Sequence, residues 1–272
     1  MSGFDVQDIE FPSSDGHTLL GRLYRPQGDT PVPLLVDVHG GAWIRGNRLN
    51  NASMHETLAE EGIAVFALEF RMPPQVTFPG TIADVNAGLR WARQHAAELG
   101  SRPEWVGGLG TSSGGHLLML NVLRPHDPRY AGPPDDAAPL VHYAVVCWPI
   151  LDPLARYRMA QERRIVKLVD AHRAFWPDEA AMERDNPHLV MERGEWLHLP
   201  PVLLIQGTGD TNVDHFGADA FGEQYRRAGG AIEVLKYDNE CHMFITVEPS
   251  APASLHAMDR IRQFVRSQAR SA

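Results

Sequence analysis

Val106-Gly107-Gly108-Leu109-Gly110-Thr111-Ser112-Ser113-Gly114-Gly115-His116-Leu117-Leu118-Met119-Leu120 decides the fold of this chain. Its first part is a strand-like stretch, its last part a helical run, and between them stands the pattern Gly-x-Ser-x-Gly. A serine on so tight a strand-to-helix turn sits in a strained backbone conformation, and its neighbours at minus two and plus two must lack side chains. Gly110 and Gly114 occupy those places. The turn lifts the Ser112 hydroxyl above a sheet and aims the free N–H groups of a helix N-terminus at developing negative charge. With 11 serines in the chain, the pattern arises by accident in about one chain in ten or twenty, as an ordinary flexible turn. The surrounding order of elements, and partners elsewhere in the sequence, are what lower that reading.

Outward from the turn, continuous apolar runs alternate with amphipathic ones. Two short strands over 6–12 and 19–26 are joined through Ser13-Ser14-Asp15-Gly16 and form an antiparallel sheet edge. Strands then fall at 34–38, 63–70, 105–109, 141–148, 201–205 and 232–237. Helices over 51–61, 82–98, 115–123, 216–228 and 253–267 lie between and after them. Buried strands separated by helices predict a mostly parallel central sheet of about eight strands with helices on both faces, an α/β fold. Residues 152–199 break the alternation with helical character over 154–173 and 178–184, which predicts a small cap insertion above the strand ends. The aromatic residues Phe175, Trp176 and Trp196 of that insertion either roof a pocket or pack against the insertion's own domain. Gly132-Pro133-Pro134-Asp135-Asp136 reads as a surface loop.

The 272 residues, 43% of them hydrophobic, exceed the usual domain size without reaching two, so one domain over 1–272 with an insertion is expected. A net charge of −9 would repel nucleic acid and anionic membranes alike. Cys147 and Cys241 are too few for a disulfide framework, and Met1 to Asp5 read as a mature cytoplasmic start. No apolar run is long enough to cross a bilayer, and no metal-ligand spacing appears among the 13 histidines. A cytoplasmic enzyme for small molecules is expected, with no metal, no cofactor, no nucleic-acid or membrane partner, and a homodimer left open as an assembly.

Serine catalysis needs a base to take the hydroxyl proton and an acid to orient that base, and on such a sheet they follow the nucleophile as acid, then histidine. Gln206-Gly207-Thr208-Gly209-Asp210 leaves a strand end and offers Asp210 as the acid. Its competitor Asp214 stands directly before a helix, where aspartate usually caps. Of the later histidines, His256 falls within the terminal helix and His215 in a first turn, whereas His242 follows the last strand through a short loop and is the expected base. Cys241 beside it is a far weaker nucleophile candidate, since adjacent loop residues point apart. An oxyanion hole is supplied by His39-Gly40-Gly41-Ala42-Trp43 after strand 34–38, together with the N–H of Ser113.

His39-Gly40-Gly41-Ala42-Trp43, Phe70-Arg71-Met72-Pro73-Pro74, Gly110-Thr111-Ser112-Ser113-Gly114-Gly115-His116 and the loops holding Asp210 and His242 together resemble the α/β-hydrolase superfamily. Within it they resemble the hormone-sensitive-lipase-like esterases and their kynurenine formamidase relatives, over roughly residues 33–247. The resemblance implies an α/β-hydrolase fold and places the oxyanion donors at the N–H groups of Gly41 and Ala42, with His39 shaping the loop. The chain departs from the lipase-like pattern at Ala42, where a third glycine is usual, at Thr111, where an acid is usual, and at Ser113, where alanine is common. Ala42-Trp43 matches the His-Gly-Gly-x-Trp variant of the formamidases instead. The long helical N-terminal extension of many lipase-like members is not seen, so the pocket cover should come from 152–199.

The expectation is therefore a carboxylic-ester hydrolase acting on small, uncharged or aromatic esters through an acyl-enzyme. Ser112, His242 and Asp210 form its triad, Gly41, Ala42 and Ser113 its oxyanion hole, and Trp43, Trp148 and Trp176 its substrate-binding residues. An aryl formamidase, amidase or carbamate hydrolase with the same triad is the first alternative, and a ligand-binding protein without turnover the second. Arg156, Arg158, Arg163, Arg164, Lys167 and Arg173 form a basic cluster in the insertion, which reads as a solvated helix face more readily than as a pocket for an anion.

Overall fold

The structure is a computed structural model and describes residues 3–131 and 140–271. The loop expected at 132–136, like Met1 and Ser2 of the expected start, lies outside the described residues. In chain order the strands are β1 (Phe4–Pro12), β2 (Thr18–Pro26), β3 (Leu34–Val38), β4 (Ala64–Leu68), β5 (Val106–Thr111), β6 (Ala144–Cys147), β7 (Val202–Gly207) and β8 (Ile232–Tyr237). The helices are α1 (Ala52–Glu60), α2 (Gly80–Gln94), α3 (Ser113–Leu123), α4 (Pro153–Glu162), α5 (Val166–Phe175), α6 (Glu179–Arg184), α7 (Pro187–Arg193), α8 (His215–Arg227), α9 (Phe244–Val247) and α10 (Pro252–Ser271). No helix among the described residues is long and apolar enough to cross a membrane.

The strands form one eight-stranded sheet in the order β1-β2-β4-β3-β5-β6-β7-β8. β1 and β2 pair antiparallel, β2 runs antiparallel to β4, and every later pairing is parallel. Both faces are covered along the inner parallel strands β3 to β7, which are buried at every residue. Leu34, Val36, Ala64, Phe66, Val146 and Leu204 join one core with residues of α2, α3 and α4 to α7, while their neighbours Leu35, Val65, Val145 and Leu203 join another with α1 and α10. The twofold alternation of a strand thus divides a continuous hydrophobic run between two cores.

Residues between β6 and β7 carry the four helices α4 to α7. The single helical stretch expected over 154–173 is broken after Glu162, and Arg164 at the break adopts φ 55°. Local chemistry fixes the ends: the carboxylates of Asp152 and Asp178 accept the N–H groups of Ala155 and Ala181, and the Asn186 side chain accepts that of Leu189. Helix α7, unmarked by any strong sequence period, runs from Pro187 just behind the Asn186 cap to Gly194 in the left-handed region, a start and stop signal written in three residues.

The parallel strands place their C-terminal ends at one edge, where the loops after β3, β5, β6, β7 and β8 gather. The β5–α3 turn enters this edge against the end of β3: a side chain on Gly114 would put its Cβ 1.9 Å from the Val38 carbonyl oxygen and 2.5 Å from that of His39. Gly114→Ala is expected to cost about 3 kcal/mol through this backbone clash, lowering the midpoint of thermal unfolding by roughly 5–10 °C in calorimetry; an unchanged midpoint would show that the turn does not press on β3.

Candidate active site

Ser112 holds φ 52° and ψ −119°, a region that L-residues avoid at a cost of about 1–3 kcal/mol. Its backbone is pinned from both sides, its N–H donating to the Cys147 carbonyl (3.0 Å) and its carbonyl accepting from the N–H of Ile150 (3.0 Å) and of His116 (3.4 Å). The hydroxyl is thereby turned out of the sheet toward the loops that follow β7 and β8.

Those loops deliver the other two groups. His242 Nε2 lies 3.1 Å from Ser112 Oγ, and His242 Nδ1 lies 2.7 Å from Asp210 Oδ2. Asp210 is 8% exposed and fully engaged: Oδ1 accepts the N–H groups of Asn212 (2.7 Å) and Val213 (2.9 Å), and Oδ2 also accepts from the Gln206 side chain (3.1 Å). Burial alone would raise its pKa. The His242 contact and the two backbone N–H groups outweigh that effect, holding the carboxyl below its ordinary value. Because the carboxylate can only accept, Nδ1 carries the proton in this contact and Nε2 is free to accept from Ser112. Asp214, the competing acid, caps α8 by accepting the N–H of Phe216 at 3.0 Å.

The loop after β3 runs through three successive residues with positive φ: Gly41 (129°), Ala42 (54°) and Trp43 (64°). Gly41 is obligatory, since a Cβ there would lie 1.8 Å from the Arg45 carbonyl oxygen. The loop is tied to the serine turn by paired contacts. Gly40 N–H donates to Thr111 Oγ1 (3.0 Å), Trp43 N–H donates to Ser113 Oγ (3.2 Å), and the Trp43 indole donates to His116 Nδ1 (3.2 Å). These bonds give a use to Thr111 and Ser113, two positions where the chain departs from the lipase-like pattern. The N–H groups of Gly41, Ala42 and Ser113 are bonded to no backbone carbonyl among the described residues. His39 stacks on Phe70 at 4.1 Å, its Nδ1 bonds the Gly40 carbonyl at 2.7 Å, and burial lowers its pKa, so it shapes the loop as a neutral ring.

Sequence reasoning missed the polar group under this loop. Asp37, His55 and Asn51 are all buried; His55 Nε2 lies 3.0 Å from Asp37, and Asn51 donates to both Asp37 and Thr111 at 3.2 Å. The one signal was an aspartate inside the apolar strand Leu34–Val38, which demands a buried partner.

Ser112, His242, Gly41 and Ala42 line a cavity of about 340 Å³. Trp148 also lines it, edge-on to the His242 ring with 6.1 Å between centroids. Trp43 and Trp176 do not. Trp43 stacks on Phe175 (5.4 Å between centroids, planes 8° apart) and meets Trp176 edge-on, while Trp176 stacks on Phe78 (4.8 Å). Both are nearly fully buried, and Trp196 packs against the same core. Phe175 and Trp176 thus bind residues 152–199 to the loop after β3 instead of roofing the pocket, because rings of this size gain more from mutual edge and face contact than from solvent. His116 joins this cluster as a neutral ring: it accepts from Trp43, leaves its Nε2 proton for the Asp185 carbonyl (3.0 Å), and burial pushes its pKa down to about 4.

Three kinds of comparison bear on the site. Residues 22–224 match the family model described as BD-FAE. The chain is similar to the probable carboxylic ester hydrolase LipM of Mycobacterium tuberculosis, 30% identical over 72% of this chain and 45% of that protein. It is also similar to an ethyl acetate hydrolase of Pseudomonas putida, 30% identical over 88% of this chain and 76% of that one. Among solved structures, an esterase of the archaeon Pyrobaculum calidifontis superposes with a TM-score of 0.81 at 20% identity, covering 97% of this chain and 86% of that one, a likeness of fold. The chain spans about half the length of LipM and of several other curated relatives it matches.

Because Asp210 is held below its ordinary pKa in the folded chain, its contribution to stability is complete above the unfolded carboxyl value of about 4 and is lost as pH falls through the lower folded value. Chemical denaturation of the wild type and Asp210→Asn should therefore differ at pH 7 and converge as the pH drops below about 4. With Asp210 as the residue that orients a His242 base, the same variant should lose on the order of 10⁴-fold in kcat at neutral pH. A stability gap that widens with acid would contradict the assignment.

Proposed function

The chain belongs to the BD-FAE family, and from that premise we propose that it is a carboxylic-ester hydrolase cleaving small or aromatic esters through an acyl-enzyme. The observation that carries this reading is the unbroken path from Ser112 Oγ through His242 to Asp210, at 3.1 and 2.7 Å. Its relatives' names support the ester as the bond attacked, LipM being a probable carboxylic ester hydrolase and the Pseudomonas protein an ethyl acetate hydrolase.

In the proposed mechanism the Ser112 hydroxyl attacks the ester carbonyl while His242 Nε2 takes its proton. The imidazolium so formed is stabilised by the ionised Asp210. Negative charge on the former carbonyl oxygen is met by the N–H groups of Gly41, Ala42 and Ser113, each worth about 3 kcal/mol of barrier. Collapse of the tetrahedral species breaks the ester bond, and His242 returns its proton to the departing alcohol. Water then repeats the sequence on the acyl-serine and releases the acid. Alcohols leave with less help from a proton than amines do, which favours ester over amide turnover by the same groups.

We further propose that residues 152–199 act as the cap of a single domain, since Phe175 at the end of α5 and Trp176 just after it join the aromatic cluster of the loop after β3. A cytoplasmic setting is supported by two unpaired cysteines, Cys147 buried and Cys241 exposed.

Ser112→Ala should abolish labelling by a fluorophosphonate and lower kcat on a p-nitrophenyl ester by about 10⁶-fold, and labelling that survives the change would overturn the nucleophile. Parallel kinetics on an N-formyl arylamine separate the two bond classes: the ester should show the higher kcat/KM, and a higher value for the formamide would shift the reading to a formamidase.

A further inference from the structure

Of the six basic residues clustered in the insertion, Arg156 alone turns inward. It is 6% exposed, whereas Arg158, Arg163, Arg164, Lys167 and Arg173 stand toward solvent, as a charged helix face should. Arg156 belongs to the wall of the cavity that holds Ser112 and His242. A buried guanidinium ordinarily faces a carboxylate that shares its five N–H donors. Here no carboxylate among the described residues forms an ion pair with it. Its Nε and Nη2 donate to the carbonyl and side-chain oxygens of Asn212, both neutral acceptors, and its Nη1 is buried without any partner. The Trp43 ring lies 5.8 Å away and His172 is neutral, its pKa pushed down to about 4 by burial and by Arg156 itself. Asp210 attracts Arg156 from behind His242 but is already saturated by its own four contacts. Burial consequently lowers the Arg156 pKa to about 10, which leaves it charged at neutral pH.

Arg45 lines the same cavity, is exposed, and lies close enough to add to the positive field at Arg156. No Asp or Glu among the described residues lines the cavity with them. A chain of net charge −9 has thus placed two arginines and no carboxylate in the lining of the cavity that holds Ser112. We propose that the substrate is an ester bearing a carboxylate, which Arg156 binds from the cavity wall, with Arg45 assisting at the mouth, while Ser112 attacks the ester carbonyl. The carboxylate supplies the charge and the acceptors that Arg156 lacks, and guanidinium pairs with carboxylate in a planar, two-bond fit. This inference rests on the esterase reading and replaces the expectation of uncharged substrates. Arg156 is then a specificity-determining residue, distinct from a mere clamp on the Asn212 loop.

The test compares kcat/KM on two pairs of esters by proton release: monomethyl glutarate against methyl pentanoate, with the charge on the acyl side, and acetoxyacetate against isobutyl acetate, with the charge on the alcohol side. Within one of the two pairs, the ratio of charged to neutral substrate should fall by at least about tenfold in Arg156→Met, the loss expected for hydrogen bonds between charged groups. Arg156→Lys should retain part of the ratio, and Arg45→Ala, at an exposed position, should lower it by about two- to fivefold. Should Arg156→Met fail to fold, the Arg45→Ala ratio and competitive inhibition of methyl pentanoate hydrolysis by free glutarate decide the matter. A clamp role would lower both members of each pair equally, and ratios unchanged in both pairs, or no inhibition by glutarate, overturn the proposal while leaving the esterase reading intact. Hydrolysis of none of the four esters by the wild type would overturn the esterase reading and this one with it.

Discussion

The strained backbone of Ser112 at φ 52° is the constraint from which the rest of the site follows. An L-residue stays in that conformation only where the surroundings over-determine it, and here they do: Cys147, Ile150 and His116 hold its backbone, and Gly114 lets the turn press against the end of β3. That pressure brings the His39-to-Trp43 loop beside the serine turn, where Thr111 at the end of β5 and Ser113 at the start of α3 receive its N–H groups. Strain accumulates around the same point. Among the described residues seven that are not glycine have positive φ, and four of them, Ala42, Ser112, Trp148 and Met243, line the cavity. The sheet beneath, buried on both faces, is stiff enough to store it.

Electrostatics follow from this frame. The Asp210 carboxylate sits on the far side of His242 from Ser112, satisfied by backbone N–H groups, so it holds the imidazole without lining the cavity. The cavity itself is lined by Arg45 and Arg156. A loop of four residues from Asp210 to Val213 links the two halves: Asn212 gives its N–H to the acid and its oxygens to Arg156. The segment that fixes Asp210 thus also fixes Arg156.

The fold and the convergence of Ser112, Asp210 and His242 were legible because both depend on sequence order. Apolar runs alternating with helices prescribe the parallel sheet, and a serine turn, a carboxylate and a histidine each lying just past a strand end converge once those strands are parallel. Hairpin β1–β2 was legible from its turn residues, and Asp214 from its place before α8. What stayed hidden depends on packing between segments distant in sequence. Trp43 and Trp176 read as pocket walls, yet meet each other edge-on where residues 152–199 pack on the loop after β3. Arg156 was indistinguishable from its basic neighbours until α4 docked and buried only that side chain. Asp37 and His55 carry no local pattern that names their pairing.

The proposed chemistry requires one oxygen atom to meet three backbone N–H groups while Ser112 meets His242. A crystal structure of the protein inhibited by a small alkyl fluorophosphonate measures this directly. The phosphorus should be bonded to Ser112 Oγ, with one phosphonyl oxygen about 2.7–3.1 Å from the nitrogens of Gly41, Ala42 and Ser113. An adduct on another residue, or a phosphonyl oxygen turned away from those nitrogens, would contradict it.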